Sequence, residues 1–171
     1  AYMIADVLAQ KKIPVILFWA YMIADVLAQK KIPVILSQTH DLPSYNDEDI
    51  QQPYKTPALL QKAGVLFALS INGFWQQRNL AFEAGTAAAY GLSKEEALAA
   101  ISSNSARILQ MGTQVGTVEK GKDASLLIVN GDLLDMRSST SDMAFIQGRE
   151  INLDNKQKEL FEKFSKKYGI N

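Results

Sequence analysis

Residues 20–36 have the sequence AYMIADVLAQKKIPVIL and predict one helix followed by one buried strand. The helical part carries four apolar side chains on one face, namely Met22, Ile23, Val26 and Leu27. Residues 32–36, IPVIL, form a short run rich in β-branched residues, which is typical of a strand covered on both faces. Pro33 suits only the beginning of such a strand. The segment therefore indicates a helix–strand unit of an α/β protein.

Residues 1–17 repeat this segment letter for letter, with only Phe18 and Trp19 between the two copies. Natural repeats diverge in sequence, and solenoids need about three units or more, so two identical copies indicate a recent duplication or an assembly artefact. We expect the second copy to hold the native strand position, because it is continuous with the next loop. The first copy would then stand in for the preceding helix and strand, or pair with another chain. The chain starts at Ala1 without Met, so we also expect a piece of a longer protein.

The same alternation of helix and strand continues after a long polar loop at residues 37–55. Thr56 and Pro57 have the residue types of an N-cap and a first helical position. A second buried strand is predicted at residues 65–69. The later segments comprise two helices at 80–90 and 94–101, a strand at 125–129, a hairpin around Gly148 and a final helix from about Asn155, capped by Asp154. This order favours an α/β protein with a parallel sheet.

The composition is that of a soluble globular protein, with 47% hydrophobic and 21% charged residues. Lys and Arg number 18 and Asp and Glu number 18, so no overall field attracts nucleic acid or a membrane surface. The absence of cysteine excludes disulfides and cysteine-based zinc sites. No apolar run is long enough to span a bilayer. The location, cytoplasmic or periplasmic, is left open.

Three motifs in the second half are similar to a known family. They are GLSKEEAL at residues 91–98, NSARIL at 104–109 and VGTVEKGKDASLLIV at 115–129. In this spacing they resemble the C-terminal part of amidohydrolases, and most of all the imidazolonepropionase-like branch. Ser105 stands where the family prefers Pro, and Ser125 where it prefers Asp. The resemblance extends over most of residues 20–150.

The resemblance implies the C-terminal part of a metal-dependent (β/α)₈ hydrolase barrel, joined to part of a small β-sandwich and a C-terminal helix. Residues 32–36 would correspond to the seventh barrel strand and residues 65–70 to the eighth. The expected regions are a duplicated helix–strand segment at 1–19, which is a possible artefact, barrel strands and helices at 20–111, and sandwich strands with the terminal helix at 112–171.

The resemblance also implies which metal ligands to expect. In this family they are a His-x-His on the first strand, a carboxylated Lys or a Glu on the fourth, single His residues on the fifth and sixth, and an Asp after the eighth. Only the last position falls in this chain, where it is held by Asn72 or Ile71, depending on register. An Asp there accepts a proton from the attacking water, which neither residue can do. We therefore expect no metal ligands in this chain, and zinc or another divalent metal in an intact active parent.

His40 is the single histidine and follows the predicted strand 32–36. Barrel enzymes place their chemistry at that end of a strand. One histidine cannot hold a catalytic zinc ion, so we interpret it as a loop residue hydrogen-bonded to Asp41 or to solvent. A substrate contact is the alternative. The acidic run at residues 47–49 lacks the spacing of a calcium loop and predicts a solvated turn.

The segment Gly73–Asn79 follows the second predicted strand and concentrates residue types that line substrate pockets. In an active parent we expect it to border the pocket together with Thr39–Asp41. Trp75 would supply apolar cover, and Arg78 or Asn79 would hold a substrate carboxylate or carbonyl. A structural role for Trp75 against the barrel rim is an equal alternative.

These observations favour the C-terminal portion of a hydrolase that acts on C–N bonds of cyclic or other non-peptide amides. Such a portion would be incomplete as an active site on its own. The alternatives are a non-catalytic relative that serves as a binding or scaffolding module, and a non-functional product of a rearranged gene. The expected partners are a small-molecule amide in the parent and either a complementary N-terminal segment or a second copy. Neither nucleic acid nor a membrane is expected.

Overall fold

The computed structural model describes residues 2–11, 13–17, 19–37, 39–43 and 46–170. Its first half alternates helices with short parallel strands. In chain order these are α1 (Tyr2–Lys11), β1 (Val15–Ile16), a 3₁₀ turn (Ala20–Ile23), α2 (Ala24–Gln29), β2 (Val34–Ser37), α3 (Gln52–Lys62) and β3 (Phe67–Ser70).

The second half begins with helices and changes to antiparallel strands. Its elements are a 3₁₀ turn (Gln76–Asn79), α4 (Leu80–Ala89), α5 (Lys94–Ala100), α6 (Ser103–Ile108), β4 (Leu126–Asn130), β5 (Thr140–Ile146), β6 (Arg149–Ile151) and α7 (Lys156–Tyr168). None of the helices in the described ranges is both long and apolar enough to cross a membrane. The predicted fold class, an α/β barrel portion followed by sandwich strands and a terminal helix, is confirmed.

The first sheet has the order β1-β2-β3 and is parallel throughout. Val15 pairs with Val34 and Ile16 with Ile35, so the two copies of the repeat lie side by side with equivalent residues in register. The second copy is the one that pairs with β3, over four residue pairs from Val34–Phe67 to Ser37–Ser70. The first copy thus takes the place of a preceding helix–strand unit, which was one of the two outcomes expected for it.

The main core lies between this sheet and its helices. Val34 and Leu36 of β2 alternate with Ile35 and point into the core, as the two-residue period of a strand requires. The helices contribute apolar side chains to the same cluster, among them Leu27, Leu60, Ala84 and Ala87. Burial of this apolar face is what holds the helices against the sheet.

The predicted start of α3 at Thr56 and Pro57 is wrong, because the helix begins at Gln52. Pro53 occupies the first turn, where a missing N–H costs nothing, and Pro57 lies inside the helix. The Thr56 hydroxyl donates to the Gln52 carbonyl at 2.9 Å instead of capping the helix. Pro57 is fully buried, so packing against the core compensates for the hydrogen bond that it cannot make.

A close backbone contact joins α4, which packs on the first sheet, to the segment that follows β4 of the second sheet. A Cβ added to Gly85 of α4 would lie 2.1 Å from the carbonyl oxygen of Leu134, in the segment after β4. Leu134 is itself buried in the main core. A glycine is therefore required where the loop from the second sheet meets α4.

The second sheet is antiparallel, in the order β4-β5-β6. The turn between β5 and β6 consists of Gln147 and Gly148, both with positive φ, which is the backbone of a two-residue hairpin and agrees with the predicted hairpin. Helix α7 is capped by Asn155, whose side chain accepts from the Lys158 N–H at 3.0 Å. The prediction of Asp154 as the cap is wrong, because the N-cap position and the capping acceptor both belong to Asn155.

Candidate functional site

The C-terminal ends of β2 and β3 lie next to each other, with Ser37 paired to Ser70. The loops that contain Thr39–Asp41 and Gly73–Asn79 both follow this edge of the sheet. Parallel α/β proteins bind ligands at this edge, because every loop that follows a strand begins there. The candidate site is therefore built on the two loops.

Glu83 anchors the loop after β2. Its side chain is only 3% exposed, and its Oε2 accepts the backbone N–H of Thr39 at 2.8 Å. Burial raises the pKa of the Glu83 carboxyl, while the Thr39 N–H acts in the opposite direction. The sequence analysis missed this residue. Its position next to Ala84 and one turn before Ala87, on the helix face that is buried in the core, could have identified it, because a carboxylate is unusual there.

His40 lies beside the same helix. Its Nε2 is 2.6 Å from the Thr86 hydroxyl oxygen, and that hydroxyl donates to the Phe82 carbonyl at 3.0 Å. While the hydroxyl donates to Phe82, only its lone pairs face His40, and the matching tautomer is the one in which Nε2 is the donor. The ring also meets the Tyr54 ring edge-on, with centroids 6.2 Å apart. The partner differs from the one that the sequence suggested, since Asp41 Oδ1 accepts from the N–H of Leu42.

A small cavity of about 30 Å³ opens at the end of β2. Its lining includes Trp19, Tyr21, Ser37, Thr39, Asp41 and Glu48. The Tyr21 hydroxyl donates to Glu48 at 2.8 Å. The hydroxyls of Ser37 and Thr39 are buried, and within the described part of the chain neither has a hydrogen-bond partner. A cavity of this volume with hydroxyl groups on its wall has room for a water molecule or for one small polar group of a ligand.

The segment Gly73–Asn79 is placed separately from this cavity. Phe74 and Trp75 are 79% and 72% exposed, and their rings meet edge to face with centroids 5.5 Å apart. Arg78 and Asn79 end the 3₁₀ turn that leads into α4. Among the residues that the structure describes, the cavity lining includes Thr39 and Asp41 but none of residues 73–79.

The described residues do not fit a catalytic metal site. Within the described ranges, no group of three or more histidine, cysteine, aspartate or glutamate side chains is placed to hold an ion. Ile71 and Asn72 directly follow β3, Ile71 partly buried and Asn72 exposed, and neither supplies a carboxylate. No step through a metal can therefore be assigned to this chain.

The family model that matches the chain is described as the amidohydrolase family, and it covers residues 26–159. This match confirms the resemblance read from the motifs at residues 91–129. No curated protein matches the chain at a significant level.

Solved structures give a consistent result. An amidohydrolase from Thermotoga maritima is 33% identical with a TM-score of 0.67, and the match covers 79% of this chain and 35% of that protein. A prolidase solved with N-methylphosphonate-L-proline is 17% identical with a TM-score of 0.59, over 77% of this chain and 38% of the prolidase. A zinc-bound adenosine deaminase from Xanthomonas campestris is 20% identical with a TM-score of 0.52, over 84% of this chain and 38% of the deaminase. The last two show the fold alone, and in each case the chain spans well under half of its relative.

Proposed function

Since the chain belongs to the amidohydrolase family, we propose that it is the C-terminal portion of a hydrolase that cleaves C–N bonds in cyclic or other non-peptide amides. The observation that carries this proposal is the family match over residues 26–159, together with the coverage of only 35% of the similar amidohydrolase. The active site of such an enzyme would be completed by segments that this sequence does not contain.

The contribution of this chain would be one part of the pocket wall. Thr39–Asp41 and Gly73–Asn79 both follow strands at the C-terminal edge of the sheet, which supports their role as pocket borders. Trp75 would cover an apolar part of the substrate, and Arg78 or Asn79 would bind its carboxylate or carbonyl. Glu83 would act as a positioning residue, because it holds the Thr39 backbone next to His40.

The test is a comparison of Arg78→Ala with Gln77→Ala in the longer parent. Both residues lie in the same exposed 3₁₀ turn, so the second variant controls for loss of a side chain there. We expect Arg78→Ala to raise KM with an unchanged thermal melt, and Gln77→Ala to change neither. An unchanged KM for Arg78→Ala, or an activity loss that only follows a lower melting temperature, would remove this loop from the pocket.

The chain by itself is expected to hydrolyse no amide and to bind no stoichiometric zinc, because it has one histidine and no carboxylate directly after β3. The measurement is metal analysis after dialysis against zinc, beside an amide hydrolysis assay on the purified chain. One equivalent of zinc with measurable turnover would contradict the proposal of an incomplete site.

A second candidate function is a binding or scaffolding module derived from this family. The observation that favours it is Asn72 or Ile71 at the position where the resemblance implies an aspartate. Metal analysis of the purified parent separates the two candidates. Bound metal favours the enzyme, and its absence favours the binding module.

A further inference from the structure

The cavity at the end of β2 contains two buried hydroxyl groups that the fold itself does not use. Ser37 and Thr39 are each only 4% exposed, and in the described ranges neither hydroxyl has a hydrogen-bond partner. Both residues line the cavity. Burial of a hydroxyl without a partner costs free energy, so two such groups on one cavity wall point to an occupant that bonds to them.

The surrounding structure fixes the position of these hydroxyls. Ser37 ends β2 and pairs with Ser70 of β3. The Thr39 N–H donates to the buried Glu83 carboxylate at 2.8 Å. The cavity volume of about 30 Å³ accepts a group of the size of a water molecule without rearrangement. The two hydroxyls therefore form a preorganised polar end of the cavity.

The charged side chains on the cavity wall are acidic. Asp41 and Glu48 both line the cavity, and none of the lining residues that the structure describes is a lysine, an arginine or a histidine. The Leu42 N–H donates to Asp41 Oδ1, and the Tyr21 hydroxyl donates to Glu48 Oε1, each at 2.8 Å. These neutral donors orient the carboxylates and leave their negative charge in place. The wall therefore favours a cation over an anion or a neutral molecule.

The apolar part of the wall distinguishes an organic cation from a metal ion. Leu36, Leu42 and Pro43 also line the cavity, and Leu42 is 75% exposed, so apolar surface extends from the end of β2 toward solvent. A hard metal ion needs about six oxygen ligands, and in the described residues no group of three acidic or histidine side chains is placed to hold one. An alkylammonium ion uses both kinds of surface, since its N–H groups bond to oxygens and its carbon chain contacts the apolar side chains.

We propose that this cavity binds the protonated primary amine of a small organic ligand, whose carbon chain leaves along Leu42. A primary ammonium group has three N–H donors and no acceptor. The three donors bond to Ser37 Oγ, Thr39 Oγ1 and the Asp41 carboxylate, and Glu48 adds negative charge. The described lining residues all lie between positions 19 and 56, so this chain builds the site itself. The inference does not rest on the proposed hydrolysis of C–N bonds.

The experiment is a titration of the nitrogen-15-labelled full chain with n-propylammonium chloride at constant ionic strength, followed by amide chemical shifts. We expect saturable shifts that are largest for residues 37–41, with a Kd of about 1–10 mM, because so small a ligand gains little binding free energy. The neutral probe 1-propanol has the same number of non-hydrogen atoms and should cause no saturable shift at these residues. Potassium chloride should cause none either.

Thr39→Val is the first decisive variant, because it keeps the shape of the side chain and removes the unpartnered hydroxyl. It should weaken n-propylammonium binding about tenfold or more, while the melting temperature stays within a few degrees of the native value. Thr56→Val is the matched control. Thr56 also lines the cavity, but its hydroxyl already donates to the Gln52 carbonyl at 2.9 Å, so this variant should bind the probe within about twofold of the native chain.

Asp41→Asn tests the charge, because the amide keeps an oxygen for the Leu42 N–H. It should weaken binding of the probe about fivefold or more. Asp47→Asn is the control for this variant, since Asp47 is exposed and is not among the described lining residues, and it should bind as the native chain does. If Thr39→Val does not fold, Ser37→Ala removes the other hydroxyl and should give the same loss of binding.

Four results would overturn the proposal. Equal saturable shifts with 1-propanol would mean that the cavity accepts neutral polar molecules, and equal shifts with potassium chloride would mean that it accepts any monovalent cation. Native binding by a folded Asp41→Asn chain, or by Thr39→Val or Ser37→Ala, would place the ammonium group elsewhere. The absence of any saturable shift at residues 37–41 would mean that the two hydroxyls bond to water alone.

Discussion

Two side chains of α4 define the candidate site at the residue scale. Glu83 holds the Thr39 N–H in the core, and Thr86 orients the His40 ring through a bond to Nε2. Both helix residues lie more than forty positions along the chain from the loop that they hold, so neither pairing is a local feature. The loop conformation after β2 therefore depends on the docking of α4.

Glu83 should give the protein a characteristic pH dependence. Its pKa is raised by burial, so the folded state binds the proton more tightly than the unfolded chain does. The resulting stability is fully present below the ordinary value of 4.5 and is lost as the pH rises through the folded-state pKa. Glu83→Gln keeps an acceptor for Thr39 without a charge, so its free energy of unfolding should rise relative to the native chain as the pH rises.

Urea denaturation of both proteins at several pH values measures this difference. Glu83→Ala should lower the free energy of unfolding by about 1–3 kcal/mol, since it leaves the buried Thr39 N–H without a partner. A difference between the native chain and Glu83→Gln that stays constant with pH would show that folding does not shift the Glu83 pKa.

Gly85 is a second residue whose identity is set by a close contact, in this case with the backbone of Leu134. A Cβ at this position would lie 2.1 Å from the Leu134 carbonyl oxygen, which belongs to backbone and cannot rotate away. We expect Gly85→Ala to lower the free energy of unfolding by about 1–3 kcal/mol, although alanine is the better helix former. Gly112→Ala is the control, because its Cβ would meet its nearest neighbour at an ordinary 3.6 Å. If Gly85→Ala proved as stable as the native chain in urea, α4 and the Leu134 segment would not pack as described.

At the element scale, the ends of helices and strands show which local signals determine structure. The hairpin turn at Gln147 and Gly148 follows the prediction, because positive φ at both positions is a local requirement that glycine meets. Ser93 accepts the Glu96 N–H at 3.2 Å and caps α5, and a serine followed three residues later by a glutamate is the local sequence pattern of a capping box. The start of α3 does not follow its local signal. Pro53 and Pro57 each suit the first turn of a helix, and the helix begins at the earlier one because Pro57 is buried in the helix interior.

The cap of α7 offers a direct test between two neighbouring residues. Asn155→Ala should reduce the stability of the helix by about 1 kcal/mol, because the Lys158 N–H loses its acceptor. Asp154→Ala should have a smaller effect, since its side chain does not cap the helix in the structure. Far-ultraviolet circular dichroism during thermal unfolding measures both. A larger loss for Asp154→Ala would restore the cap that the sequence suggested.

At the scale of the whole molecule, the repeat raises the question of which copy the fold requires. Deletion of residues 1–19 and deletion of residues 18–36 produce the same shorter sequence, so one variant removes either copy. Strand β2 pairs with β3 over four residue pairs, whereas β1 pairs with β2 over two. The sheet core therefore depends on a single copy.

We expect the single-copy variant to keep a cooperative thermal transition and most of its circular dichroism. Its remaining copy is continuous with the loop after β2 and can pair with β3 over the same four residue pairs as β2 does. The variant should lose the contacts of the first copy, which are the apolar contacts of Leu8 and Val15 with the core, the β1–β2 hydrogen bonds and the ion pair between Asp6 and Lys30. A chain without a cooperative transition, under conditions where the full chain is folded, would mean that both copies are structural.

The sequence alone was sufficient for the fold class, the order of elements and the family, because these rest on local periodicity, turn residues and motif spacing. The helix–strand unit at residues 20–36, the capping serine before α5 and the motifs at residues 91–129 all belong to this group. Trp75, Arg78 and Asn79 are site residues that the sequence suggested, and they stay predictions.

Only the tertiary structure decided how the identical copies are arranged, where α3 begins and which groups hold the loop after β2. Continuity with the next loop predicts which copy pairs with β3, but it leaves open whether the first copy joins the same sheet or another chain. Two prolines carry no signal that selects a helix start. The Thr39–Glu83, His40–Thr86 and Gly85–Leu134 contacts join residues more than forty positions apart. Such pairs exist only after the helices pack on the sheet, since burial in one core brings together groups that no local pattern relates.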